Sequence, residues 1–258
     1  MRLGNPALRK YTKKAENGEL GAYGEKRATY AGVYLKSALY AGLTIVAAVL
    51  VELLVLNSLR TGNGNALLMV GIGAMASFIP LLIISLVIAF VPSTAKVLGC
   101  IYAVIQGALL GLLATMIDMF YPGIAFAAFI GTAIVFLVAL VVNSVFKVRI
   151  SSKFTRGLLV AMFSLIAVEF IMWLLSLFGV FSFTQYMWVQ IAISALCIIW
   201  ATVMLFWDLS NIDYIVQVGA EKKYEWNVAF SLVTTLIYLY VEILELLVRF
   251  AALFSKNN

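Results

Sequence analysis

Pro122-Gly-Ile-Ala-Phe-Ala-Ala-Phe-Ile-Gly-Thr-Ala-Ile-Val-Phe-Leu-Val-Ala-Leu-Val-Val-Asn-Ser-Val-Phe146 contains no charge. As a helix rising 1.5 Å per residue it extends about 37 Å, enough to cross the ~30 Å hydrocarbon core of a bilayer. It belongs to a longer charge-free run, 119 to 146, and similar runs occupy 61 to 95, 97 to 117 and 170 to 207. Of the 258 residues 64% are hydrophobic and 12% charged, more apolar surface than one water-soluble core can bury. The solvent for most of the chain is lipid. Continuous apolar runs favour helices over a barrel, whose strands alternate apolar and polar positions. The expected class is an all-α integral membrane protein.

Seven transmembrane helices are predicted at about 31 to 57, 67 to 91, 96 to 117, 122 to 146, 157 to 181, 185 to 211 and 226 to 250. Turn formers and polar groups separate them at Thr61-Gly-Asn-Gly-Asn, Val91-Pro-Ser, Tyr121-Pro-Gly and Phe181-Ser-Phe-Thr-Gln185. This gives a basic tail at 1–28, a seven-helix domain at 29–252 and a short polar tail at 253–258. The first tail has no apolar core of the kind a cleaved signal peptide needs.

Fourteen Lys and Arg residues fall on one side: seven in the tail, Lys96, Lys147, Arg149, Lys153, Arg156, Lys222 and Lys223. Arg60, Arg249 and Lys256 fall on the other. Positive charge is retained in the cytoplasm, so the N-terminus is expected inside and, after seven crossings, the C-terminus outside. Lys36, near the inner end of the first span, is expected to snorkel to the headgroups. Topology and lipid headgroups account for the net charge of +6 without any nucleic-acid partner.

Gly71 with Gly73, Gly107 with Gly111, and Gly131 beside Thr132 suggest close helix packing and not a dinucleotide site. The chain has no histidine, which removes Ser-His-Asp and Cys-His catalysis, most zinc sites and the usual sensor of neutral pH. Cys100 and Cys197 lack metal-ligand or redox spacing and read as packing residues.

Carboxyl groups within apolar spans are costly, so each needs neutralisation, a partner or water. Glu52 reads as interfacial, as does Asp213. Glu169, central in its span, is divided between ion or proton handling and a hydrogen-bonded structural acid. Glu245 precedes Arg249 by four residues, the favourable order for an intrahelical ion pair, although Glu242, seven residues before Arg249, competes for it. Asp208 is followed by an amphipathic continuation, Leu209 to Val218, which would hold it below the membrane surface.

From end to end the chain resembles a bacterial member of the Bax inhibitor group, also called the transmembrane Bax inhibitor motif family. The likeness is carried by Gly4-Asn-Pro-Ala-Leu-Arg9, Thr29-Tyr-Ala-Gly-Val33, Ile101 to Gly111, Tyr121-Pro-Gly-Ile124 and Gly131-Thr-Ala-Ile-Val-Phe136. Most specific are Asp208-Leu-Ser-Asn-Ile212 and Leu239-Tyr-Val-Glu-Ile243, similar to the family's acidic motifs in its sixth and seventh spans. The resemblance implies a seven-helix bundle with the last helix central, and a pH-sensitive calcium leak channel in a bacterial plasma membrane. It further implies that Asp208 and Glu242 form a proton-sensing pair, and a transient calcium site. Two carboxyls in a low-dielectric site share a proton and titrate as a unit; once ionised they repel and offer the hard oxygens calcium prefers. Asp208 and Glu242 reach equal depth only if the turn between their helices centres near Glu225. A turn near residue 220, which Gly219-Ala220 suggests, offsets them by ten residues, about 15 Å.

The leading expectation is therefore a pH-modulated cation leak whose partners are lipids, calcium and protons, with no cofactor. The alternative is a non-transporting regulator that binds other membrane proteins, such as a quality-control protease. An enzyme is not expected, because no paired-aspartate protease motif, HExxH or serine with an evident base is present.

Overall fold

The structure is a computed structural model that describes residues 27–62, 64–146 and 187–255, with scattered positions between 157 and 174. Among the described residues there are six long helices, in chain order α1 (Tyr30–Thr61), α2 (Gly64–Phe90), α3 (Ala95–Phe120), α4 (Ile124–Phe146), α5 (Met187–Gln217) and α6 (Tyr224–Ser255). All six are long and apolar enough to cross a membrane. Among the described residues the only extended pairing is one antiparallel bridge, Arg27 with Glu221. Most of the fifth predicted span, the basic loop before it and Glu169 lie outside the described residues, as do residues 1–26 of the N-terminal tail.

Breaks between helices fall where turn chemistry places them. Gly62 ends α1 in the left-handed region, a short 3-10 turn at Pro92–Thr94 leads into α3, and Gly123 is left-handed before α4. α5 ends with Gly219 at φ 67°, where the amide of Ala220 returns to the carbonyl of Ile215 and that of Gly219 to Val216. This is the paired-bond closure that a glycine one residue past a helix favours. The chain thus takes the earlier of the two anticipated turns, centred near residue 220.

By their contacts the described residues form two compact units, one within 27–122 and 211–234 and one within 123–210 and 235–255. In the first, α1 and α3 cross closely. A Cβ at Gly107 would collide with the carbonyl oxygen of Thr44, and one at Gly111 with that of Ala48. The GxxxG spacing therefore works by letting two backbones touch. Gly111→Leu is expected to separate them and lower the thermal midpoint in detergent, at a cost beyond the ~1–3 kcal/mol of ordinary overpacking because backbone cannot rotate away. An unchanged midpoint would show that this crossing contributes nothing. The same expectation does not hold at Gly71 and Gly73, where an added Cβ meets no described atom within 4 Å. Tyr40 completes the α1–α3 seam by donating its hydroxyl to the Ala95 carbonyl at 2.6 Å.

In the second unit α4 meets α6 where Gly131 lies against Ile243. Large apolar side chains project outward throughout, among them Leu35, Phe90, Phe120 and Phe146, each about three-quarters exposed. On a water-soluble protein such a surface would aggregate; here it is the face presented to acyl chains.

Candidate functional site

The polar groups of the second unit gather on facing sides of α5 and α6. On α6, Thr235, Tyr238, Glu242, Glu245 and Arg249 recur at intervals of three and four, which places them on one stripe. The Thr235 hydroxyl donates to Asp208 Oδ2 at 2.5 Å. Arg249 donates to the Gln190 carbonyl at 2.9 Å and to the Ser194 hydroxyl. Asp208 and Ser194 are fourteen residues apart on α5, and so are Thr235 and Arg249 on α6, so both contacts belong to one antiparallel register.

That register sets Glu242 opposite Ala201, a fully buried position whose methyl leaves room for a longer side chain. Glu242 is itself buried, and Tyr238 lies in side-chain hydrogen-bonding reach of both Glu242 and Cys197. Asp208 is only 1% exposed. Along α6 Glu242 stands seven residues beyond Thr235, about 10 Å of rise. Helical side chains tend to lean toward their own N-terminus, and on antiparallel helices that tendency directs positions 208 and 242 into this interval.

Of the two assignments open for Arg249, the carboxylate at 2.8 Å is Glu245, within the same helix. The Glu245 side chain is half-exposed, and this pair ties together only neighbouring turns of one helix. The guanidinium's contacts with Gln190 and Ser194 join the helices, and Arg249→Met is expected to weaken them, since the buried Ser194 hydroxyl loses its donor. A thermal midpoint lowered by Arg249→Met but not by Glu245→Gln would separate the two roles.

A second polar centre lies in the first unit, and the sequence did not single it out. Glu225, in the first turn of α6, is fully buried and accepts hydrogen bonds from the amide of Thr29 at 2.8 Å and from its hydroxyl at 3.4 Å. Its other oxygen pairs with the Lys36 ammonium. Thr29 in turn caps α1, its hydroxyl accepting from the Gly32 amide at 3.0 Å. A Cβ at Gly32 would strike the Glu225 carboxylate. Lys36 also lies over the Trp226 ring, 5.1 Å from its centroid.

Lys36 therefore does not snorkel to the headgroups. A buried carboxylate within reach offers its charge a stronger partner than the interface does. The signal available in the sequence was that one cation and one anion of opposite sign each lay within a turn or two of a span's end. What hid it was their separation of 189 residues.

The remaining charged candidates are peripheral to both centres. Glu52 is partly exposed on α1. Asp213, also partly exposed, is hydrogen-bonded with Tyr30. Among the described residues no three His, Cys, Asp or Glu side chains come together as a metal cluster.

Among the described residues, six helices long and apolar enough to cross a bilayer, with many large apolar side chains exposed, define a multi-pass helical membrane protein. Within that class the chain belongs to the Bax inhibitor 1 like family, whose model matches residues 5–252, nearly its whole length. No curated protein and no solved structure matches it.

Proposed function

We propose that this protein is a pH-sensitive cation leak channel, with calcium as the cargo and Asp208 and Glu242 as the carboxylates whose protonation gates it. The observation that carries the reading is the burial of both acids on facing helices, Asp208 on α5 bonded to Thr235 and Glu242 on α6 one register step away, opposite Ala201. Burial makes an ionised carboxylate costly, so a proton or a cation at this stripe offsets that cost. The oxygens available, two carboxylates with the hydroxyls of Thr235 and Tyr238, are hard donors suited to calcium. Further along, the side-chain amide nitrogen of Gln190 is buried with no hydrogen-bond partner among the described residues. An orphaned donor of this kind costs about 1–3 kcal/mol, which a hydrated ion or water passing along the stripe would offset.

We take the pair to act across a short interval and not by direct contact. Deprotonation of both adds two like charges to one low-dielectric stripe, and their repulsion favours separation of α5 from α6. Flux is then expected to rise with pH. The setting we propose is a bacterial plasma membrane, crossed seven times with the basic tail inside, the seventh crossing supplied by residues 157 to 181. The protein needs no cofactor and performs no catalysis in this reading.

Purified protein in liposomes loaded with a calcium indicator tests it. A calcium flux that increases from acidic to mildly alkaline pH supports the proposal. Flux that ignores pH sinks the gating, and a protein that conducts nothing while co-purifying with one stoichiometric membrane partner favours a regulator of other membrane proteins.

A further inference from the structure

A groove of about 480 Å³ opens in the first unit, where the start of α1, the start of α3 and the turn before α6 meet. Four lysines line it: Lys36, Lys96, Lys222 and Lys223. No acid is among its lining residues, and the acids nearby are already engaged. Glu225 holds Lys36 and Thr29, and Glu221 pairs with Lys223. Lys96 and Lys222 are exposed and form no ion pair among the described residues. The rest of the wall is mainly apolar, including Leu35, Leu39 and the Trp226 ring, and Leu35 is 74% exposed toward the bilayer.

We propose that this groove holds the headgroup of an anionic phospholipid. A phosphate diester needs cations and donors at one end, and here Lys96, Lys222 and Ser93 line the same groove. An attached acyl chain needs apolar surface continuous with the membrane, which Leu35 and Leu39 on α1 provide. A soluble anion uses only the first of these features. Each lysine sits within two turns of the end of a span, the depth at which headgroups lie. Because the Lys36–Glu225 pair is self-neutralised, the net charge of the groove comes from its rim. Basic pockets between membrane helices recognise acidic headgroups on the same physical grounds.

The test is a titration of the full chain in neutral detergent, followed by native mass spectrometry, with phosphatidylglycerol, phosphatidylcholine and inorganic phosphate as probes. Phosphatidylglycerol is expected to remain bound where phosphatidylcholine does not. Lys96→Gln with Lys222→Gln is expected to weaken it about thirtyfold, equivalent to ~2 kcal/mol at about one per lysine. Lys96→Arg with Lys222→Arg, which keeps both charges, is expected to retain binding within about threefold. Equal retention of phosphatidylcholine overturns the proposal, as does full retention of phosphatidylglycerol by the glutamine variant. Displacement of the lipid by inorganic phosphate at similar concentration also overturns it, by showing that a free anion suffices. The arginine variant and the competition keep the test decisive if the glutamine variant folds poorly.

Discussion

Lys36→Met is expected to lower the thermal midpoint of the detergent-solubilised protein by roughly ten degrees. The substitution leaves the Glu225 carboxylate fully buried with the Thr29 amide and hydroxyl as its remaining partners. Removing one member of a buried ion pair costs about 3–5 kcal/mol, and each kcal/mol moves the midpoint of a chain this size by about 2–4 °C. Most of the loss belongs to the stranded charge and not to the attraction. Lys36→Met combined with Glu225→Leu is therefore expected to recover most of the wild-type midpoint, because it removes both charges from the apolar site. If the single variant melts like the wild type, Glu225 is not held as described. If the double variant is no better than the single, the site is fixed by the Thr29 cap instead.

Asp208→Asn is expected to flatten the pH dependence of calcium flux and to hold the rate near the acidic wild-type level. Asparagine reproduces the neutral form of the acid and still accepts the Thr235 hydroxyl proton. With one charge permanently absent, ionising Glu242 adds no like-charge repulsion to the stripe. Glu242→Gln is expected to act in the same direction, and the double variant to go little further than either single one, as coupled groups do. A shift of about tenfold in rate at alkaline pH corresponds to ~1.4 kcal/mol in the gating balance. Additive effects of the two single variants would show independent sites. A pH profile unaltered in Asp208→Asn would remove this carboxylate from the mechanism.

The six described helices were legible because their signal is local. Charge-free runs mark four of the spans and long apolar stretches broken by few charges mark the first and last, and Gly62, Pro92, Gly123 and Gly219 stop or turn the chain for reasons contained in single residues. The burial of Asp208 was legible for a related reason, since the amphipathic run after it carries α5 on to Gln217. Its partner was not. Which α6 side chain meets Asp208 depends on the length of the turn, and a difference of a few residues there moves the facing position by about a helical turn. The early turn at Gly219 brings Thr235 to Asp208 and sets Glu242 seven residues further along. The Lys36–Glu225 pair was hidden more completely. A lysine near a membrane interface has a sufficient local explanation, and only tertiary packing reveals that a carboxylate competes with the headgroups.

The crossing of α1 and α3 at Gly107 and Gly111 restricts how the molecule can breathe. Where main chain abuts main chain no rotamer exists to cushion a slide, so these two rods travel as one plank. Spin labels on them should report a constant spacing across pH, whatever distances change elsewhere.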